Sequence, residues 1–332
     1  MSPTNRVSDW VPRFLRDHVL LERNLSRNTL RGYRDSLQLL LVYLGKVCRK
    51  PVDSLTLDDI SPERVKQFLQ HLEQERKCSI ATRNQRLAAL HAWARFVGSR
   101  NVEYLEWCNQ IRNIPFKKTI QEPRTYLDKS EMDALLNAPD RRTAQGRRDY
   151  AVMLFLYNTG SRVDEVAQLL IEDLHCRDPQ PWVRILGKGN KVRICPLWAL
   201  TVDTLRPLIE GRAATERVFL NRRHQPITRF GIFALVKRHA TEAAKATPTL
   251  QGKRVSPHTI RHTTACHLLK SGVDINTVRA WLGHVSVDTT NIYAQIDLEM
   301  KIDALTHCEI FDTTPQKRWK EKPSVLEFLK SL

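Results

Sequence analysis

The stretch Ser256–Tyr293 contains the imidazoles of His258 and His284, the guanidinium of Arg261 and the phenol of Tyr293. His258 and Arg261 are three residues apart, so one face of a helix would present both. His284 follows a glycine, and Tyr293 comes nine residues later. A guanidinium fork and imidazole donors suit a phosphate, and a phenol can act as a covalent nucleophile. These residue types suit a phosphate ligand, although a tyrosine judged alone is most often a buried aromatic with a satisfied hydroxyl.

The same stretch carries the signals of helices that would position those groups. Ser256 suits an N-cap and Pro257 the first position of a helix. Gly272 and Gly283 predict helix ends, and a last helix is expected near Asp288.

A second candidate anion site lies upstream, in TGSRVDEVAQL. Gly160 would end a buried helix, and Ser161 would cap the next one. Arg162 would then lie in the first turn, where free backbone amides also favour an anion. Glu165, three residues on, would orient the guanidinium. On these residues alone, an ordinary surface Arg–Glu pair is the alternative.

A β-hairpin is predicted between these two sites. Trp182–Leu186 and Lys191–Cys195 are short β-branched runs that flank the glycine-rich turn GKGN. Lys188 would project from its tip, with Lys191 as the alternative within reach. A turn lysine is usually only solvated.

Length and charge indicate two domains and a polyanionic partner. A chain of 332 residues suits two cores. Its net charge of +17 favours nucleic acid, although an ordinary basic protein also fits. Seven cysteines without a CxxC pair argue for a reducing compartment. We find no signal peptide or membrane span in the sequence and expect a cytoplasmic protein.

Residues 5–112 are expected to form a bundle of four or five helices. Ser26, Ser61 and Ser79 predict helix starts, and Gly45 predicts a helix end. Charge on a helix usually marks a solvated face, but two basic helices in a basic chain favour DNA. The candidate DNA contacts on these helices are Arg27, Arg31, Arg34, Arg83 and Arg86.

Residues 113–123 lack periodicity and predict a linker, in which Lys117 and Lys118 would pass near DNA. A second domain is expected over residues 124–311, where Lys253 and Arg254 precede Ser256 and are further candidate DNA contacts. Residues 312–332 predict a tail that ends in a short helix.

The motifs HTIRH, LGH with a tyrosine nine residues on, TGSRVDEV and GKGNKVR resemble the catalytic core of the tyrosine recombinases, also called the phage-integrase family. LSRNTLRGYRDSL and ATRNQRLAALHAWARF resemble their N-terminal core-binding domain. Ser161 and Val166 differ from the residues usual in the family at these positions, and we interpret both differences as changes in packing. The resemblance implies a mainly α fold with a small β-hairpin or sheet. A SAM-like helical bundle would precede an α+β catalytic domain, and both would clamp a duplex.

The resemblance also implies roles at the scissile phosphate. Arg162 and Arg261 would clamp the phosphate, and His284 would donate a hydrogen bond to it. His258 would assist proton transfer as the base toward the nucleophile.

Two further residues complete the implied reaction. Tyr293 would attack phosphorus and remain joined to the 3′ phosphate, while Lys188 would protonate the departing 5′ oxygen. The covalent ester conserves the bond energy, so neither ATP nor a metal cofactor is expected.

The histidines around Arg261 also suggest zinc as an alternative. His258 and His262 are an i, i+4 pair, and His267 and His284 lie nearby in the sequence. Because Arg261 between the first two would repel a cation, we expect His262 and His267 to be structural.

We therefore expect a bacterial, nucleoid-associated enzyme of site-specific recombination that catalyses integration, excision, transposition or resolution. The resemblance implies a dimer on one site and a tetramer in the synapse, with partner recombinases or directionality factors left open. Its C-terminal helix would dock on a neighbouring protomer or on its own domain. A type IB topoisomerase and a non-catalytic DNA-binding regulator are the alternatives.

Overall fold

The structure is a computed structural model that describes residues 5–119, 125–187 and 189–283. The chain divides into two compact units, Met1–Glu122 and Pro123–Leu332. This division falls within the predicted linker, residues 113–123. The predicted tail, residues 312–332, and the helix expected near Asp288 lie outside the described residues.

The first unit is helical throughout its regular elements. The helix α1 continues directly into a π-helical segment, and short 3₁₀ turns connect the later helices. In chain order the elements are α1 (Val7–Pro12), the π-helical segment (Arg13–Glu22), α2 (Arg27–Cys48), α3 (Pro62–Gln74), α4 (Ile80–Arg100) and α5 (Leu105–Arg112).

Serine caps begin three of these helices, as predicted. The hydroxyls of Ser26, Ser61 and Ser79 each accept a hydrogen bond from the backbone amide three residues later. The apolar sides of the helices meet in one core, whose largest fully buried side chains include Trp10 and Trp93.

The predicted helix end at Gly45 is wrong, because α2 continues to Cys48. Arg49 takes the left-handed conformation there, with φ 52°. The amide of Lys50 donates to the carbonyl of Gly45 at 3.0 Å, which closes a Schellman-type end. A Cβ at Gly45 would lie 3.2 Å from the Lys50 carbonyl oxygen, so the glycine makes room for the returning chain.

The second unit surrounds one buried helix with further helices and a small sheet. In chain order its elements are α6 (Lys129–Asn137), α7 (Ala144–Thr159), α8 (Val163–Ala167), β1 (Leu174–His175), β2 (Trp182–Leu186), β3 (Val192–Pro196), α9 (Ala199–Ile209), α10 (Arg229–Ala246), α11 (Pro257–Lys270) and α12 (Ile275–Leu282).

The buried helix α7 forms the centre of this unit, with every residue from Asp149 to Thr159 buried. The hydroxyl of Thr264 on α11 donates to the carbonyl of Tyr157 at 2.8 Å, which ties α11 to the end of α7. The buried amide side chain of Asn158 bonds the backbone of Pro196 and Trp198, just after the hairpin. The end of α7 is thereby fixed from two sides.

The predicted hairpin is confirmed. The three strands form an antiparallel sheet in the order β1-β2-β3. Leu186 pairs with Val192, and the amide of Gly187 donates to the carbonyl of Lys191 at 2.8 Å to close the turn.

The predicted ends of the last helices are also confirmed. The hydroxyl of Ser256 caps α11, and Pro257 is its first residue. Gly272 follows α11 with φ 82°, and Gly283 ends α12 with φ 66°. No described helix is both long and apolar enough to cross a membrane.

Candidate active site

Four of the predicted active-site residues fall in the part of the chain that the structure describes: Arg162, Glu165, His258 and Arg261. Lys188, His284 and Tyr293 lie outside the described residues.

Arg162 and Glu165 form the predicted contact. The guanidinium Nη1 of Arg162 donates to Glu165 Oε1 at 3.0 Å, and the amide of Arg162 donates to Oε2 at 2.9 Å. The Arg162 side chain is 38% exposed, whereas that of Glu165 is 5% exposed. The carboxylate therefore holds a guanidinium whose other side faces solvent.

The predicted cap of this helix is wrong. Arg162 itself precedes α8, and Ser161 makes no cap. Ser161 is fully buried, and its hydroxyl bonds the hydroxyl of Thr159 at 2.7 Å. That contact gives the buried Ser161 hydroxyl a hydrogen-bond partner. Glu165, instead of Ser161, accepts the hydrogen bond from the first amide of the turn, that of Arg162.

Arg193 on β3 is a member of this cluster that the sequence interpretation missed. Its Nη2 donates to Glu165 Oε2 at 2.6 Å, and its Nε donates to the Trp281 carbonyl at 2.9 Å. Strand alternation in the sequence would place the apolar Val192 and Ile194 inward and Arg193 outward, but the structure exposes both apolar residues and turns Arg193 inward. An inward-facing arginine on a hairpin requires a buried partner.

The buried carboxylate of Glu165 is stabilised in its ionised form. Burial by itself raises the pKa of Glu165. The hydrogen bond and the charge of Arg193, followed by the amide and guanidinium of Arg162, outweigh that effect and hold the pKa below its ordinary value. One carboxylate therefore balances two arginines, which leaves the cluster with an excess of positive charge.

Arg261 joins the ends of two helices. It lies on α11 and is 2% exposed. Its Nη1 donates to the carbonyl of Gly160 at 2.5 Å, and its Nη2 donates to the carbonyl of Leu282 at 2.7 Å. Gly160 precedes Arg162 by two residues, and Leu282 ends α12. Arg261 therefore brings together the chain segments that carry the TGSR and LGH motifs.

His258 lies in the first turn of α11 and is exposed. Its ring centroid is 4.3 Å from that of the buried His262. His267 bonds the hydroxyl of Tyr157 through Nδ1 at 2.7 Å, in keeping with its predicted structural role. Burial lowers the pKa of His267 and raises the pKa of Tyr157 to about 12.

The predicted DNA contacts of the first unit separate into exposed and internal residues. Arg27, Arg31 and Arg34 are exposed on α2, although Arg34 also pairs with Asp35 at 2.7 Å. Arg86 is half-buried and donates to the hydroxyl of Ser36 at 3.1 Å.

Arg83 does not lie on an exposed face, which corrects its predicted place among these residues. It is 5% exposed, lies 3.5 Å from Glu73 and donates to the carbonyl of Pro115 at 3.1 Å. Lys117 pairs with the same Glu73 at 2.7 Å but is half-exposed, and Lys118 is exposed.

Lys191 and Arg254 are exposed in the second unit, but Lys253 is engaged internally. The Lys253 ammonium bonds both carboxylate oxygens of Glu131, at 2.6 and 2.7 Å. Glu131 is fully buried and forms the predicted capping box with Asp128. We therefore interpret Lys253 as the partner of a buried carboxylate, which corrects its predicted role at the surface.

Among the residues in the described ranges, no group of three potential metal ligands lies close enough to bind an ion.

A helical unit precedes a mainly helical unit in which an antiparallel hairpin and two helix ends converge on paired arginines. This combination is that of a tyrosine recombinase.

The chain belongs to the phage integrase family. The profile of the phage integrase family matches residues 125–300, and that of the phage integrase N-terminal SAM-like domain matches residues 12–101. The predicted family, fold class and enzyme type are thereby confirmed: the protein is a site-specific recombinase with a SAM-like first unit.

Two relatives match over most of their length. The chain is 33% identical over 321 residues to the putative integrase/recombinase y4rC of Sinorhizobium fredii, covering 96% of both proteins. It is 33% identical over 292 residues to the tyrosine recombinase XerD of Chlorobaculum tepidum, covering 85% of this chain and 90% of that protein.

Solved structures show the same fold. The Tn1549 transposon integrase in complex with a circular intermediate DNA matches with a TM-score of 0.69 at 17% identity, over 90% of this chain and 98% of that one. The XerH recombinase bound to its palindromic difH substrate matches with a TM-score of 0.65 at 23% identity, over 86% of this chain and 81% of that one.

Proposed function

We propose that this recombinase cuts and rejoins DNA through a covalent 3′-phosphotyrosine at Tyr293. The observation that carries the proposal is the position of Arg261, whose guanidinium bonds the chain just before Arg162 and the last residue of α12. Two arginines anchored to one framework suit the two non-bridging oxygens of a phosphodiester.

Charge stabilisation is the first requirement of this chemistry. In our assignment Arg162 and Arg261 bind the scissile phosphate, and His284 donates a further hydrogen bond. Fixed donors aimed at the developing negative charge are a large source of rate enhancement. Glu165 would keep the Arg162 guanidinium in place, because it already accepts from both its Nη1 and its amide.

Proton transfer is the second requirement. A phenol with a pKa near 10 is mostly protonated at neutral pH, so His258 is assigned as the base toward Tyr293. The phenolic oxygen would form a bond to phosphorus as the bond to the 5′ oxygen breaks. Lys188 would give its proton to that leaving oxygen.

The second half of the reaction reverses the first. A 5′ hydroxyl from another strand would attack the phosphotyrosine, release the phenol and restore the diester. The bond energy is conserved in the covalent ester, so the proposal requires neither ATP nor a metal ion.

Double-stranded DNA that carries recombination sites is the proposed substrate. The relatives named XerD and y4rC and the DNA complexes of XerH and the Tn1549 integrase support it. The net charge of +17 supplies the electrostatic attraction. The exposed cations assigned to the DNA backbone are Arg27, Arg31, Arg34, Lys118, Lys191 and Arg254.

The oligomeric assembly is proposed from the resemblance to the family. We propose a dimer on one site and a tetramer when two sites synapse, with the segment 312–332 docking on a neighbouring protomer. Integration, excision and resolution share this chemistry and differ in the DNA sites and accessory factors. A bacterial cytoplasmic location remains a prediction.

Covalent capture tests the proposal. The full-length protein is incubated, without metal or ATP, with nicked DNA from the ends of its source element, and protein–DNA adducts are resolved after denaturation. We expect an adduct in the wild type and none in Tyr293→Phe. An adduct that persists in Tyr293→Phe would exclude this nucleophile. Tight DNA binding without any adduct would favour a non-catalytic regulator.

A plasmid relaxation assay distinguishes the proposed function from the remaining alternative, a type IB topoisomerase. A type IB topoisomerase relaxes supercoiled plasmid that carries no recombination site. We expect the protein to join two sites on a plasmid that contains them and to leave a site-free plasmid supercoiled. Efficient relaxation of the site-free plasmid would contradict the proposal.

A further inference from the structure

Arg193 is a buried cation outside the six residues assigned to the reaction. Its side chain is 9% exposed, and it lies on β3, the second strand of the hairpin that carries Lys188 on its turn. An arginine side chain stays charged inside a protein, so it must be paired and hydrogen-bonded there. Besides a long contact to the Ser161 hydroxyl at 3.5 Å, it bonds Glu165 and the Trp281 carbonyl, and these two partners indicate what it holds.

The first partner links Arg193 to Arg162. Oε2 of Glu165 accepts from Arg193 Nη2 at 2.6 Å and from the Arg162 amide at 2.9 Å. Oε1 of the same carboxylate accepts from the Arg162 guanidinium at 3.0 Å. Both arginines thus share one buried carboxylate, and the position of each depends on the other.

The second partner links Arg193 to Arg261. Nε of Arg193 donates to the Trp281 carbonyl at 2.9 Å, and Nη2 of Arg261 donates to the next carbonyl, that of Leu282, at 2.7 Å. The last carbonyls of a helix have no partners within the helix itself. Two guanidiniums from different elements satisfy neighbouring carbonyls at the end of α12.

Close packing leaves Arg193 little freedom. A Cβ placed on Gly283 would lie 3.1 Å from Arg193 Cδ. A Cβ placed on Gly187, where the hairpin turn begins, would lie 3.3 Å from Glu165 Oε1 and 3.5 Å from Arg193 Nη1. Two glycines therefore border the Arg193–Glu165 pair, and the guanidinium is held by packing as well as by hydrogen bonds.

We propose that Arg193 is a positioning residue for strand cleavage, which fixes Arg162 through Glu165 and Arg261 through the end of α12. The inference rests on the proposed function, since it takes Arg162 and Arg261 as the groups that bind the scissile phosphate. Arg193 itself contacts neither DNA nor the reacting atoms in this assignment.

Loss of Arg193 should slow cleavage without weakening DNA binding. Misplacement of a reacting group by about 1 Å costs on the order of 100-fold in rate. We expect Arg193→Met to reduce the cleavage rate by about this factor. Arg193→Lys keeps the charge but has one ammonium in place of the fork, so it should restore only part of the rate.

The experiment measures single-turnover adduct formation on nicked DNA over a range of protein concentrations. The saturating rate reports positioning, and the half-saturating concentration reports binding. Arg184→Met is the matched control, because Arg184 lies on the neighbouring strand β2, pairs with Asp173 at 2.9 Å and is half-exposed. We expect a lower saturating rate for Arg193→Met, an unchanged half-saturating concentration, and wild-type behaviour for Arg184→Met.

Coupling through Glu165 distinguishes positioning from a general loss of structure. If Arg193 acts partly through Glu165, the rate losses of Arg193→Met and Glu165→Gln will not multiply in the double variant. Thermal unfolding of each variant accompanies the rates, and Arg193→Lys provides the comparison if Arg193→Met does not fold.

The outcomes separate this proposal from the proposed function. A wild-type adduct together with wild-type saturating rates in the Arg193 variants would overturn the positioning role alone. So would fully multiplicative losses with Glu165→Gln. Absence of any Tyr293 adduct from the wild type would overturn the proposed function, and with it the role of Arg193.

Discussion

The guanidinium of Arg261 donates a hydrogen bond to the carbonyl of Gly160, a residue 101 positions earlier in the chain. Gly160 ends the most buried helix of the unit, and its φ of 58° directs the chain toward Arg162. The contact joins the motif in α11 to the motif that follows α7. Arg261 is thus part of the framework as well as a candidate phosphate ligand.

Replacing Arg261 with lysine should separate these two roles. Lysine keeps the charge but lacks the planar fork that reaches Gly160 and Leu282 together. We expect the rate of adduct formation to fall by at least about 100-fold, with a lower melting temperature. Arg206→Lys, at an exposed position, is the control. Normal adduct formation by Arg261→Lys would remove Arg261 from the proposed clamp.

Gly160→Ala should destabilise the second unit. A left-handed backbone costs about 1–2 kcal/mol for an L-residue, and the new Cβ would lie 2.5 Å from Leu282 Cδ2. We expect a total loss of about 2–4 kcal/mol in the free energy of unfolding, measured with urea.

Gly211→Ala isolates the backbone part of that cost. Gly211 has a φ of 72°, and its added Cβ would meet nothing within 4 Å. We expect about 1–2 kcal/mol for this variant. Equal losses at both positions would show that the contact with Leu282 is relieved at little cost.

Lys253→Met should change the stability of the protein, whereas Arg254→Met should change its DNA binding. Lys253 pairs with the fully buried Glu131, so its loss should lower stability by about 2 kcal/mol. This figure is below that of a fully buried pair, because a third of the Lys253 side chain is exposed. The slope of log affinity for DNA against log salt concentration should be unchanged in this variant.

Arg254 is exposed and should behave as a phosphate contact. Its replacement should reduce the slope of log affinity against log salt by about one and leave the unfolding free energy within about 0.5 kcal/mol. If Lys253→Met instead changed the salt slope and not the stability, the internal assignment of Lys253 would be wrong.

Stability should decrease at acidic pH through Asp149. Burial raises the pKa of this carboxyl, but hydrogen bonds and charges from His239, Arg148 and Arg238 outweigh burial and hold it below its ordinary value. A carboxyl with a lowered folded-state pKa contributes stability at pH values above its unfolded pKa. That contribution is lost as the pH falls through the folded-state pKa.

Asp149→Asn tests this dependence. We expect the variant to be about 2–3 kcal/mol less stable at pH 7, since three cationic or polar partners lose the carboxylate. Its disadvantage should shrink as the pH is lowered below about 4. Asp203→Asn, at an exposed site, is the control. A constant difference between wild type and Asp149→Asn across pH 3 to 7 would contradict the explanation.

The elements of the fold were predictable because their signals are local. Ser26, Ser61, Ser79 and Ser256 each cap a helix through an amide three residues away, and the GKGN turn closes a hairpin between adjacent strands. These interactions depend on neighbours in the sequence. The family motifs are also short stretches of sequence, so they allowed residues of the candidate active site to be predicted in the same way.

The errors concern charged groups whose partners are distant in sequence. Lys253 pairs with Glu131 across 122 residues, and Arg193 bonds Trp281 across 88. Basic residues are usually solvated, so the sequence alone gave no reason to place these inside. Arg83 was mistaken for the same reason, because its burial depends on how α4 packs against Glu73 and Pro115.

Hydrogen bonds to the carbonyls of Trp281 and Leu282 hold the end of α12 in place, so this end does not act as a hinge. Rotation of the helix about this end would stretch two bonds that originate in different elements, β3 and α11. A change in either arginine removes only one of the two restraints. Each single substitution should therefore loosen this end of α12 in part, and loss of both arginines should loosen it further than either change alone.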